Sequence, residues 1–469
     1  MGQPSTETLI ARRAFLRGAG AMGVGTLAFN QLLSSDSAAA LGGNPNVPAL
    51  GHFAPKAKSV IFLHMVGAPS QIDLFDPKPK LEEFHGKPAP AEFIEGKRFA
   101  FLRGHPNMMA SPYEFETLND GQQISELLPN LKSVAGEIAI VRSMRTDEFN
   151  HAPAQMFFHS GVNRIGHPGI GSWVTYGLGS ECADLPAYVV MIAGGIPGGG
   201  SSLWNNGFLP SVYQGVEFRA EGEPVLFLSD PEGVDRSRRR RIIDAVNELN
   251  ALELENTGDP EIRTRMAQYE LAFKMQMSVP ELTDLKSEPD AVRSMYGTGT
   301  FANHCLQARR LVERGVRFVE IYDSTWDHHN GIYERLEKKC KETDQPIAAL
   351  IKDLKTRGLL DQTLIVWGSE FGRTPMFQGD KLEGAGRDHH KDAYTIWMAG
   401  GGVRGGISFG ATDEFGYHVT ESPVYNRDLH ATILHALGLD HEAVTYRFQG
   451  LDQRLTGLED ATVQEQLFL

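Results

Sequence analysis

Six short apolar runs limit what this chain can fold into more than any other feature. They are SVIFLHMV (59–66), IAIVRSM (138–144), AYVVMIA (187–193), RFVEIY (317–322), TLIVWG (363–368) and YTIWMAG (394–400). Each is near-continuously apolar rather than alternating, which is the pattern of a strand covered on both faces. Segments with helical spacing separate them. The clearest is GIYERLEKKCKETDQPIAALIKDLKTRGLL, with Pro346 placed to kink it and Gly358 placed to cap its C-terminus. Residues 236–314 read as several helices with little strand signal. Strand and helix alternate, so the expectation is an α/β fold with a mostly parallel sheet. A chain of 469 residues can bury a large core in one domain or in two to three smaller ones.

The first forty residues are set aside from this reading. ARRAFLRGAG carries Arg12 and Arg13, then Phe15 and Leu16; a weakly apolar stretch follows, and Ala38 and Ala40 have cleavage-site spacing. This resembles a twin-arginine signal peptide, which implies export after folding to the periplasm or beyond. Its apolar stretch is too short and Gly-rich for a stable membrane span, and no later segment is long enough for one. Formal net charge is −14, and such an acidic surface disfavours nucleic acid as a partner. The basic run RSRRRR (236–241) sits in a polar helical pattern and reads as a solvated face or a local ion-pair network. Cys182, Cys305 and Cys340 are odd in number and widely spaced, so neither a disulfide framework nor a thiolate zinc site is indicated.

In a parallel sheet, ligands gather at the carboxyl ends of the strands. Polar, metal-capable residues stand beside five of these runs. RFVEIY leads into STWDHHNG, with Asp327, His328 and His329. TLIVWG leads into SEFGRTP, with Glu370 and Arg373, and GRDHHKD, with Arg387, Asp388, His389 and His390, precedes YTIWMAG. IAIVRSM leads to Asn150 and His151 at a helix start, and SVIFLHMV to Ser70, Asp73 and Asp76. Carboxylate oxygen and neutral imidazole nitrogen suit zinc and its neighbours. Asp327 and His329 are two residues apart and share a side if the segment is extended. Trp204 and the loop GFLPSVYQGVEF are open to two readings, a packed loop or a roof over the pocket. His430 and His435 sit on an amphipathic helix pattern and read as structural.

The motifs GAPSQIDLFDPKP, NHAPAQMFFHSG, GIGSWVTYGLG, GFLPSVYQGV, WDHHNG, GSEFGRTP, GRDHH and NRDLHATILHALGLD span nearly everything after the signal. In this order they resemble the exported sulfatase-like family catalogued as domain of unknown function 1501, within the alkaline phosphatase and sulfatase superfamily. The resemblance implies a three-layer α/β/α sandwich, read here as a single domain over 41–469 with a helical insertion around 236–314. It implies a metal bound by Asp327, His329 and His389, with His390 as the fallback and Glu370 as a further ligand. The metal is a divalent ion, zinc first, with calcium and manganese as alternatives.

The sequence departs from the superfamily pattern in two places. Val66 and Gly67 stand where an Asp is usual, and Glu370-Phe371 stand where Asp-His is usual, which counts against a second metal. The nucleophile slot holds His151, with Asn150 beside it, and no Cys, Ser or Thr. Imidazole is a nucleophile, a base or a ligand. Arg387, Arg373 and the amides of the helix starting near His151 are the expected anion binders. Two functions remain open on the sequence. One is an exported metal-dependent hydrolase of phosphate or sulfate esters, acting on a small anionic ester or a sulfated or phosphorylated glycan, with His151, Asn150 and Arg387 as catalytic residues. The other is a non-catalytic envelope protein that binds anionic glycans or a protein partner.

Overall fold

The computed structural model describes residues 51–469 apart from Phe227, and apart from the side chain of Pro260. The twin-arginine segment and the boundary expected near residue 40 lie outside the described residues. In chain order the strands used below are β1 (Ser59–Met65), β2 (Ile138–Arg145), β3 (Tyr188–Ala193), β4 (Val216–Phe218), β5 (Phe318–Asp323), β6 (Thr363–Gly368), β7 (Gly372–Gln378), β8 (Gly386–His390), β9 (Tyr394–Ala399), β10 (Ile407–Phe409) and β11 (Val424–Tyr425). β7 and β8 form an antiparallel hairpin, and the other nine form one sheet. The sheet runs β10-β2-β9-β6-β1-β5-β3-β4, with β11 also paired to β2. Within it β9 alone runs antiparallel to its neighbours; the other pairings are parallel. All six apolar runs are strands of this sheet.

Helices cover both faces: α1 (His151–Ser160), α2 (Ile170–Leu178), α3 (Arg236–Thr257), α4 (Pro260–Thr283), α5 (Thr300–Glu313), α6 (Ile332–Thr356) and α7 (Asn426–Ala436) are the main ones. The three layers follow from how β1 divides its side chains. Ile61, Leu63 and Met65 enter one core with Leu306 and Leu311 of α5 and Leu336 and Leu350 of α6. Val60 and Phe62 enter the other, with Phe158 of α1, Trp173 of α2 and Ile433 of α7. Each fully buried side chain of this kind contributes roughly 1.5–3 kcal/mol. Because β1, β5 and β6 are parallel neighbours, the segments that follow them leave the sheet on one edge, and that edge holds the site.

Several local expectations have specific outcomes. α6 continues as one helix through the buried Pro346, and Gly358 takes φ +68° just past its end. The region 236–314 is helical, and the basic run opens α3, where Arg240 pairs with Asp244 and Glu270. Trp204 is buried in the core against Tyr322 rather than roofing a pocket. His430 is buried, with Nε2 2.7 Å from the Phe158 carbonyl. The three cysteines are buried and free. Among the described residues, no helix is long and apolar enough to cross a membrane.

Candidate metal centre

Three chain segments meet at the carboxyl edge. The turn after β5 delivers Asp327 and His329, the start of α1 delivers His151, and the β7–β8 hairpin delivers Arg373 and His389, which are paired across its two strands. The turn after β5 is tied down by Asp323, whose carboxylate accepts from Trp326 Nε1 at 2.8 Å and meets Lys339 at 2.7 Å. Two non-glycine residues with left-handed backbone flank the site, Ala68 at φ +63° and Thr325 at φ +79°. Such strain persists only where surrounding structure enforces it.

Among the described residues one group has metal-site spacing: His151, Asp327, His329 and His389, whose ligand atoms lie within 4.8 Å of one another. His329 Nε2 is 2.9 Å from Asp327 Oδ1, His389 Nε2 is 3.4 Å from the same oxygen, and His151 Nε2 is 3.2 Å from Oδ2. The opposite nitrogens are all engaged by oxygen. His151 Nδ1 lies 2.7 Å from Glu370, His329 Nδ1 2.6 Å from Gln378 Oε1, and His389 Nδ1 2.7 Å from the Phe149 carbonyl. Those oxygens are acceptors, so each Nδ1 carries a proton and each ring turns its Nε2 inward.

His329 Nε2 and His389 Nε2 are 3.0 Å apart. Two such lone pairs repel unless a proton or cation lies among them, and His151 Nε2 approaches Asp327 Oδ2 to 3.2 Å off hydrogen-bond geometry. One carboxylate and three imidazoles with oriented outer partners are the donor chemistry of a zinc-type site. The residues present therefore fit a divalent cation.

The electrostatics agree. Burial works against charge on Asp327, but the three imidazoles and Arg373 hold its carboxyl well below the usual carboxylate range. Burial likewise opposes a charged His151, yet Asp327 and Glu370 outweigh it and raise the ring to about 9. Burial, with Arg373 and His151 nearby, pushes His389 down to about 4, which leaves it neutral and available as a donor. Phe371 lies under His151 and His389 with ring centres 5.0 and 4.6 Å away. Phe101 packs edge-on against His329 at 4.5 Å, on a loop whose Phe101 and Leu102 amides donate to Asp388.

The other sequence candidates have different surroundings. His328 is buried and its Nε2 meets the Thr325 carbonyl, while His390 Nε2 meets the Tyr417 carbonyl, so the second member of each imidazole pair is engaged elsewhere. Glu370 stands behind His151 rather than in the group of four. Its carboxylate takes His151, Gln155, the Gly67 amide, Ser369 and His64. Arg387 is fully buried against Asp73 and donates to the Met109 carbonyl, so Asp73 and Arg387 are committed to each other. Asp76 pairs with Lys78 and accepts from Thr412, and Ser70 donates to Asp73. Asn150 is the exposed N-cap of α1 and makes no side-chain cap bond. Arg373 reaches Asp327 and also donates to the Gly67, Ala68 and Arg387 carbonyls.

Gly67 explains why no Asp follows β1. Its φ is +110°, and a Cβ there would stand 2.5 Å from the Asp327 amide nitrogen. The backbone that carries Asp327 occupies the space a side chain would need.

Sequence reasoning overlooked His64, His159 and Glu320, which lie buried beneath the site. Their signal was present: His64 and Glu320 interrupt otherwise apolar strands, and His159 is eight residues from His151 on one helix face.

The family model described as protein of unknown function, DUF1501, matches residues 57–467. The chain belongs to that family. Comparison with curated proteins gives no match. Among solved structures, a sulfatase from a Pseudoalteromonas species is similar, with 14% identity over 92% of this chain and 76% of that one, at a TM-score of 0.37. The alkaline phosphatase of the Antarctic bacterium TAB5 is similar at 12% identity, over 82% of this chain and 99% of that one, with a TM-score of 0.35. A phosphonate monoester hydrolase from Silicibacter pomeroyi has 13% identity over 87% and 76%, with a TM-score of 0.34. Likeness at that level transfers no residue role to this DUF1501 chain.

Proposed function

We propose that this DUF1501 protein is an exported metal-dependent hydrolase of phosphate or sulfate esters, acting on a small anionic ester or an anionic glycan. The observation that carries the reading is the convergence of three Nε2 atoms on Asp327 while every Nδ1 is held by an oxygen. Asp327, His329 and His389 hold the cation, with zinc favoured by the donor set and calcium or manganese disfavoured by two imidazoles with a third, His151, beside them. A divalent cation there supplies Lewis-acid polarisation of an ester oxygen.

This chain's residues do the rest. Arg373 offsets the charge of Asp327, and Phe371 packs against the His151 and His389 rings. The amides at the start of α1 face an anion favourably. His151 is the fourth donor, or the base and nucleophile when its Nε2 is free. With no Cys, Ser or Thr in its slot, a formylglycine mechanism is excluded from the proposal, and the peptide containing His151 is expected unmodified by mass spectrometry.

The test pairs metal analysis of protein purified from its own host with a screen of aryl phosphate and aryl sulfate esters. Turnover abolished by chelation and restored by zinc supports the hydrolase. Stoichiometric metal with no turnover of any ester favours the non-catalytic binder, a reading supported by Gly67 standing where superfamily members carry an Asp. Export is tested separately: replacing Arg12 and Arg13 with Lys should leave precursor in the cytoplasm.

A further inference from the structure

α3 carries an apolar stripe on its solvent side. The helix is defined at both ends: the Asp235 side chain accepts from the Arg238 amide, and Gly258 closes it in left-handed backbone at φ +68°. One side faces α4. Ile243 is buried there, and Arg240 and Asn247 both reach Glu270 of α4. The opposite side holds Ile242, Ala245, Leu249 and Leu252, spaced alternately three and four residues apart. Ile242, Leu249 and Leu252 are 43%, 67% and 58% exposed. Single exposed leucines are ordinary, but a helix with a second apolar face, turned away from its own core, has surface left to bury.

This spacing is that of a coiled-coil seam, with Ile242 and Leu249 at a positions and Ala245 and Leu252 at d positions. The seam is flanked by e positions (Arg239, Val246, Glu253) and g positions (Arg241, Glu248, Glu255). Charge is sorted along it. The arginines of 236–241 lie at the N-terminal end, and Glu248, Glu253 and Glu255 lie towards the C-terminal end. No ion pair joins Arg241, Glu253 or Glu255 to another described residue, and Arg239 reaches Asp230 only at 3.7 Å.

An antiparallel second copy of α3 satisfies the stripe and the charges together. With Ile242 facing Leu252 of the partner subunit, Ala245 faces Leu249 of the partner subunit, and a two-fold axis repeats both contacts. Arg239 then stands beside Glu253 of the partner subunit, and Arg241 beside Glu255 of the partner subunit. A parallel pairing would instead set the arginines against their own copies. Glu248 meets its copy near the axis, which is the one like-charged contact on the flanks of this register. The basic half alone would suit an anionic membrane surface, but the glutamates that share the seam oppose it.

We propose that the solvent face of α3 is an interface at which two copies of this chain pair antiparallel, with Ile242, Leu249 and Leu252 at its apolar centre and Arg239–Glu253 and Arg241–Glu255 pairs on its flanks. α3 has 22 residues and is therefore about 33 Å long. One helix of that length makes a contact small beside the roughly 800 Å² per partner of a standard interface, so the dimer is weak and concentration-dependent. The proposal does not depend on the cation site.

Sedimentation equilibrium of the purified protein, over a series from about 1 μM to about 1 mM, should show monomer and dimer in exchange. Leu249→Glu places its charge in solvent in the monomer, so circular dichroism should be unchanged, while dimerisation should weaken by at least about tenfold. Arg241→Glu and Glu255→Arg should each weaken it a few-fold, and the double variant with the charges exchanged should return towards wild type. A monomer throughout, or a dimer indifferent to Leu249→Glu, overturns the proposal. Failure of the exchanged pair to recover the loss overturns the antiparallel register.

Cysteine crosslinking reads the orientation even if a charge variant fails to fold. The native cysteines are buried and leave the background clean. Ile242→Cys and Leu252→Cys proteins, mixed under mild oxidation, should crosslink to each other and not to themselves. Self-crosslinking of each variant shows parallel pairing and overturns the proposal. A wild type that stays monomeric and floats with phosphatidylglycerol vesicles, where Leu249→Glu does not, gives the stripe to a membrane surface and overturns it as well.

Discussion

Arg387 and Asp73 form an ion pair in which both side chains are fully buried, with Arg387 Nε 2.8 Å from Asp73 Oδ2. Arg387 comes from the same strand as His389, yet it serves the fold rather than the cation. Replacing Arg387 with Met strands a buried carboxylate and is expected to cost about 3–5 kcal/mol. The double variant Asp73→Asn/Arg387→Met removes both charges and should recover a large part of that loss. Denaturant unfolding of the two variants and the wild type checks this. Equal loss in the single and double variants would contradict the pairing.

Gly67 gives a second expectation. A methyl group there meets the Asp327 amide at 2.5 Å, on backbone with φ +110°. Gly67→Ala should destabilise the fold by about 1–3 kcal/mol and displace Asp327. Thermal unfolding with and without zinc reads both effects: a lower midpoint, and a smaller gain on adding zinc. Unchanged melting and an unchanged zinc gain would show that the turn has room.

The pH dependence follows from His151. Its pKa in the cation-free protein is raised from 6.5 to about 9 by Asp327 and Glu370, against the effect of burial. A raised folded pKa stabilises fully below the unfolded value and is lost as pH climbs through the folded one. Cation-free protein should therefore lose stability between about 6.5 and about 9. Zinc occupying Nε2 removes the proton in question, so this slope should flatten in zinc-loaded protein and in His151→Gln. Thermal midpoints across that range, with a chelator or with zinc, supply the comparison.

The layout of this fold was legible because burial on both faces leaves a plain mark. All six apolar runs became strands within a residue or so of their expected ends, and the parallel sheet followed from the helices between them. The position of the site was legible for a related reason, since parallel neighbours release their loops at one edge. The division of labour within that edge was not. Sequence cannot tell His329, which faces Asp327, from His328, whose ring meets a backbone carbonyl, without the register of the turn. Arg387 read as an anion binder because its buried partner, Asp73, lies 314 positions away in sequence. The grouping of His64, His159 and Glu320 joins two strands and a helix, and no local spacing encodes it.

Metal content per folded chain tests the cation site most directly. Wild type and His328→Ala should each hold about one equivalent of zinc, the latter because His328 contacts the Thr325 carbonyl and not the cluster. Asp327→Ala, His329→Ala and His389→Ala should each lose nearly all of it while circular dichroism shows a retained fold. Full retention in His329→Ala and His389→Ala, or a folded wild type that binds no divalent metal, would contradict the account.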